Sequence, residues 1–147
     1  MNKLVKAVVT SAIVLSSTQV FAATGTFDAT LEVKQAITLN RVSGLDFGVI
    51  TTSDNTDIVI AQGDAGAATF NVTGKAGDIV NVNVGDANST TIKNGANTIG
   101  LSLDAPTTLT LTGGNATLNI GGTAAIASAS LVEGSYAQSI PVEVTYQ

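Results

Sequence analysis

The feature that most constrains this chain is a period of two. Phe27, Ala29, Leu31 and Val33 alternate with Asp28, Thr30, Glu32 and Lys34. The same alternation governs Ile58 and Ile60, Phe70 and Val72, Val80, Val82 and Val84, Leu101 and Leu103, Leu109 and Leu111, and Leu118 and Ile120. Successive side chains leave opposite faces of an extended backbone, so this pattern predicts strands with one face buried and one wet. Turn-forming residues separate the runs: Ser43-Gly44, Asp54-Asn55, Gly63-Asp64, Gly74 to Asp78, Asn94-Gly95 and Gly113-Gly114-Asn115. Thr, Val and Ile are abundant, and their branched Cβ atoms suit a pleated surface. No helical periodicity interrupts the pattern after the first twenty or so residues. The expectation is all-β: one antiparallel immunoglobulin-like β-sandwich without a linker, a charge block or a strict repeat.

Composition removes several functions. The 147 residues include no His and no Cys, which excludes Cys/His zinc sites, thiol nucleophiles, Ser-His-Asp triads and disulfides. Six Lys and Arg face eleven Asp and Glu, a net charge of −5, so no basic field is present to neutralise nucleic-acid phosphates. Hydrophobic residues make up 44% of the chain, too many for a disordered one. No cofactor is expected.

The first 22 residues have a different logic. Lys3 and Lys6 precede a mostly apolar stretch from Ala7 to Leu15, and Val20 and Ala22 occupy the small-residue positions of a cleavage site. This layout predicts a secretory signal peptide over residues 1–22, cut between Ala22 and Ala23, with a retained N-terminal anchor as the alternative. No later apolar run approaches the ~18 residues that cross a bilayer. Loss of Lys3 and Lys6 takes the net charge from −5 to −7. Exported domains of this size often rely on disulfides, so this one must be held by core packing or by contacts with another chain.

The two ends of the expected mature chain carry most of the information. At the C-terminus Tyr136, Gln138, Ile140, Val142, Val144 and Tyr146 share one parity, apolar except for Gln138, and Pro141 falls on the other. A strand holding Pro is usually an edge strand, and a long edge with one apolar face is a template for a further strand. An ordinary closing strand satisfies the same alternation. Gly134 lies fourteenth from the end and Tyr146 is penultimate. Together these features resemble the C-terminal signature of chaperone–usher pilus subunits. After Ala22 comes ATGTFDATLEVKQ, with Gly25, Phe27, Ala29, Leu31 and Val33 on one parity. It is similar to the N-terminal extensions of the archaic branch of these pilins, although a plain first strand of the sandwich reads the same way. The chain departs from many pilins in having no Cys. Its Leu45-Asp46-Phe47-Gly48 segment and late GSYAQ element also resemble small exported β-sandwich families without an assigned activity.

The resemblance implies a division into a signal peptide (1–22), a donor-strand extension (23–35) and a pilin-like sandwich lacking its last strand (36–147). It implies that Gly134, Tyr136, Ile140, Val142, Val144 and Tyr146 form an acceptor edge, first for a periplasmic chaperone. At an outer-membrane usher, the extension of the next identical subunit would replace the chaperone strand, with Gly25, Phe27, Ala29, Leu31 and Val33 filling the pockets. The product would be a head-to-tail filament on the bacterial surface that serves adhesion or biofilm formation. The alternative is a self-contained exported β-sandwich that binds a surface or a ligand.

Other signals are weaker. The acidic stretch Thr52-Ser53-Asp54-Asn55-Thr56-Asp57 lacks the Gly and terminal Glu of a calcium loop and reads as a turn, so no metal is expected. Asn71, Asn88 and Asn115 begin Asn-x-Ser/Thr triplets, which abundant Thr produces by chance. The scattered acids offer no acid–base pair across a cleft for glycoside hydrolysis, and no enzyme is expected. Few aromatics argue against a dedicated lectin site.

Overall fold

A computed structural model of the chain describes residues 23–85 and 90–147. The chain divides into two units, Met1–Glu32 and Val33–Gln147. The expected signal peptide and its Ala22 cleavage position lie outside the described residues, and residues 23–32 are the described part of the first unit. They form no strand, and Phe27 and Leu31 are about nine-tenths exposed, at 90% and 89%.

Among the described residues the second unit contains nine strands: β1 (Thr38–Ser43), β2 (Ile58–Ile60), β3 (Ala68–Thr73), β4 (Ile79–Val84), β5 (Thr90–Asn94), β6 (Asn97–Asp104), β7 (Thr108–Thr110), β8 (Asn115–Ala125) and β9 (Val142–Tyr146). Among the described residues there is no helix, and every strand pairing is antiparallel. The larger sheet runs β1-β3-β8-β6-β5, with β2 also on β8, and the smaller runs β7-β4-β9. The protein is an all-β, immunoglobulin-like sandwich.

The long strand β8 organises the larger sheet. Its first half pairs with β3, Ala68 opposite Ile120 and Thr73 opposite Asn115. Its second half pairs with β2 through Ile58–Ala124 and with β6 through Leu101–Ala124. Gly121 and Gly122 sit where the partners change. A Cβ on Gly122 would lie 2.7 Å from the Ser102 carbonyl oxygen, so a side chain there would force the strands apart. The β5–β6 hairpin closes through Gly95 and Ala96. Gly95 has φ of 59°, while among the described residues no non-glycine residue has positive φ, the arrangement of a turn with Gly first.

Burial follows the parity read from the sequence. Val72, Val80, Leu111 and Leu118 are fully buried, with 0% exposure. The core is divided. One cluster gathers Ala68, Val72, Val80, Val84, Leu111, Leu118 and Ile120; the other holds only Ile99, Ala124 and Ile126, flanked by Phe47, Ile58, Ile92, Leu131 and Tyr136.

Two elements, β1 and β5, were not foreseen as strands. In β1 (TLNRVS) the face carrying Leu39 also carries Arg41, and the register shifts between Arg41 and Ser43, so the apolar alternation is broken. The C-terminal strand is also shorter than its parity predicts: it begins at Val142, not Tyr136. The reason is topological. Ala137 exchanges backbone hydrogen bonds with Lys93 of β5 (3.0 and 3.2 Å), in the larger sheet, whereas Val142–Tyr146 pairs with β4 in the smaller. The segment between them crosses from one sheet to the other and cannot continue either ladder.

Candidate functional site

A groove of about 1100 Å³ lies within the second unit, against both core clusters. Close-packed interiors leave few voids larger than a water molecule, with its ~30 Å³ share of liquid volume, so the space is far beyond a packing defect. Its floor comes from inward residues of the larger sheet, among them Phe70 of β3, Leu101 of β6 and Ile120 of β8. Val84 of β4 and Val142 of β9 line it from the smaller sheet. Two irregular segments border it. One carries Leu45 and Phe47, which reach the larger and smaller clusters respectively; the other runs from Leu131 to Ile140. Arg41 of β1 also lines the groove.

β9 forms an edge of the smaller sheet, and its open side can be derived from two hydrogen bonds. The Gly85 N–H donates to the Pro141 carbonyl (3.0 Å) and the Gln147 N–H donates to the Ile79 carbonyl (3.2 Å). In an antiparallel ladder, hydrogen-bonded and non-bonded pairs alternate. Odd-numbered residues therefore bond to β4, and the N–H and C=O groups of Val142, Val144 and Tyr146 point away from it. No strand covers that side among the described residues. Pro141 falls on the odd parity, so its missing N–H weakens the β4 side and leaves the open edge able to donate.

The expected acceptor residues are thus partly brought together. Ile140, Val142, Val144 and Tyr146 pack against the larger cluster, half-buried, with exposed neighbours between them. Tyr136 packs instead on the smaller cluster, and its hydroxyl accepts the Val132 N–H (3.1 Å). Gly134 lies two residues before Tyr136, ahead of the crossing segment, with φ of 141°, in a region L-residues avoid. Of the expected donor residues, Gly25, Phe27, Ala29 and Leu31 belong to the first unit and Val33 opens the second. All five are exposed, none is in a strand, and the chain's first described strand is β1.

At the far end of β9, Tyr146 joins a polar cluster. Its hydroxyl donates to the Gln35 carbonyl (2.5 Å) and accepts the Lys75 N–H (2.8 Å). The Lys34 ammonium lies 5.0 Å from the centre of the Tyr146 ring and 2.8 Å from Asp78 Oδ2. The hydrogen bond from Lys34, with smaller help from the charges of Lys34 and Lys75, lowers the Asp78 pKa against the opposing effect of desolvation. Gly74 makes the room: a Cβ there would lie 2.6 Å from the Tyr146 hydroxyl. Sequence reasoning missed Lys34, Gly74 and Asp78, because nothing local links positions so far apart in the chain.

The acidic stretch is a set of turns. Asp54 caps Thr51 (N–H to Oδ2, 2.6 Å) and Asp57 accepts the Ala127 N–H (2.8 Å). Among the described residues, no group of three acidic side chains could hold a metal ion.

Residues 47–146 match the family model of DUF4402, a domain of unknown function. The chain belongs to the DUF4402 family. The match starts at Phe47 on the groove and runs through β9 to Tyr146, covering β2 to β9. No curated protein and no solved structure matches the chain.

Proposed function

We propose that this DUF4402 protein is the structural subunit of a bacterial surface filament, built by strand donation. It is exported to the periplasm, held there by a chaperone strand, and passed to an outer-membrane usher. There the 25–33 segment of one copy fills the groove of the next. The filament serves adhesion or biofilm formation, and the subunit performs no catalysis.

One observation carries this reading: an open apolar groove, bordered by a strand whose outward N–H and C=O groups meet no strand among the described residues, in a chain that also presents an exposed segment of strand periodicity. An added strand would take backbone hydrogen bonds from Val142, Val144 and Tyr146, and its alternate side chains would enter the space between the two core clusters. Burying Phe27, Leu31 and Val33 contributes roughly 1.5–3 kcal/mol each. A head-to-tail contact that does not close on itself generates a filament.

The test is a synthetic peptide spanning Ala23 to Lys34, added to the purified protein. The expected result is a rise in thermal midpoint that grows with peptide concentration, as binding to the folded state alone requires. A stable monomer indifferent to the peptide would overturn the reading and favour a self-contained exported module that binds a surface or a small ligand.

A further inference from the structure

The polar cluster around Tyr146 lies outside the groove and has no part in filling it. Its geometry nevertheless joins two functional ends. Lys34 and Gln35 are where the N-terminal segment enters the second unit; Tyr146 ends β9, the strand with the open edge. Two interactions connect them directly, the hydroxyl bond to the Gln35 carbonyl and the Lys34 ammonium over the ring, and the Lys34–Asp78 ion pair ties the same root to the turn before β4. The turn that supplies Asp78 also donates its Lys75 N–H to the same hydroxyl. Asp78 keeps only 19% of its side chain exposed, so this is no freely solvated surface pair.

We propose that Lys34, Asp78 and Tyr146 form a clasp that fixes the root of the N-terminal segment to the strand that accepts its neighbour's segment. The mechanical consequence, which rests on the filament reading, is a short load path. Tension arriving at β9 from one neighbour leaves through Tyr146 and Gln35 into the segment held by the other. Without the clasp, the same tension must cross from β9 to β4 and then reach β1, which among the described residues pairs with β3 alone. Tyr146 acts here as a positioning residue for the segment's root.

The chain supplies its own reporter. Trypsin cuts after Lys and Arg, and Lys34 sits inside the clasp, whereas Lys93 is paired with Ala137 on the far sheet. In the purified protein, Tyr146→Phe and Asp78→Asn should each speed cleavage after Lys34 by about tenfold or more, leaving cleavage after Lys93 unchanged. Unchanged cleavage after Lys34, or a parallel rise at Lys93 that signals general unfolding, would overturn the clasp. Pulling single polymers tests the load path: those of Tyr146→Phe should yield at lower force than wild type, and equal force would overturn it. If the wild-type protein forms no polymer, the filament reading and its load path fall together, while the trypsin comparison still decides the clasp.

Discussion

Residues 25–33 and residues 142–146 are built on the same rule and end in opposite states. Both alternate apolar and polar residues, but Val142, Val144 and Tyr146 are half-buried in a ladder with β4, while Phe27, Leu31 and Val33 are 83–90% exposed and in no strand. A period of two makes a segment able to be a strand. Whether it is one depends on an edge and an apolar face being in reach, because an extended backbone gains its hydrogen bonds only from a neighbour. The contrast teaches that strand periodicity does not by itself make a strand: residues 23–32 form none, while the second unit, among the described residues, holds a groove and a strand edge that no other strand covers.

The sharpest way to break this contrast is to place a charge on each side of it. Leu31→Asp should abolish polymer and leave chaperone capture intact, because the altered segment is given and not received. Val144→Asp should impair both steps. Sedimentation of assembled material and co-purification with the chaperone report the two outcomes, and normal Leu31→Asp polymers would sink the donor assignment.

A smaller effect separates two leucines of identical chemistry. Leu118 has 0% exposure and Leu31 has 89%. Leu118→Ala should cost the isolated protein about 2–5 kcal/mol in denaturant unfolding, from lost burial and a residual cavity. Leu31→Ala should stay within about 0.5 kcal/mol there, as exposed substitutions do. An equal loss for both would show that the N-terminal segment is already buried in the lone subunit.

The smallest effect is acid sensitivity at the Lys34–Asp78–Tyr146 cluster. The Asp78 pKa is held below its ordinary value, first by the hydrogen bond from Lys34. A carboxylate lowered in the folded state stabilises above its unfolded pKa of ~3.9, and that stabilisation is lost as pH falls through the folded value. The charged and titratable groups around it are Lys34, Lys75 and Tyr146. The difference in thermal midpoint between wild type and Asp78→Asn should therefore be constant from pH 5 to pH 8 and shrink only below about pH 4. A difference that fades between pH 5 and pH 7 would remove Asp78 from the clasp.

Much of the sandwich was legible from the residues. Ile58 and Ile60, Phe70 and Val72, Val80 to Val84, Leu101 and Leu103, and Leu118 and Ile120 all lie in strands, since parity is a local property. Gly113-Gly114 and Asn94-Gly95 turn the chain where they were read to do so. The even-parity face of the C-terminus was legible too, as half-buried Tyr136, Ile140, Val142, Val144 and Tyr146 show, but its length as a strand was not. The crossing at Ala137 depends on pairing with Lys93, forty-four positions earlier, which no window of sequence contains. β1 escaped because Arg41 follows Leu39 on one face and the register shifts before Ser43.

By itself, then, the sequence determined that the chain is β-structured, which side chains face inward along the runs that form strands, and that both ends carry a period of two. These follow from the alternation of neighbouring side chains, which needs no partner to be read. Tertiary structure alone decided that the core splits into two clusters with a groove against both, that one side of β9 at Val142, Val144 and Tyr146 meets no strand among the described residues, and that Tyr146 holds Gln35 and faces Lys34. Each of these depends on which distant segments meet, and that is settled by the competition of all strands for edges and apolar cover, not by any one of them.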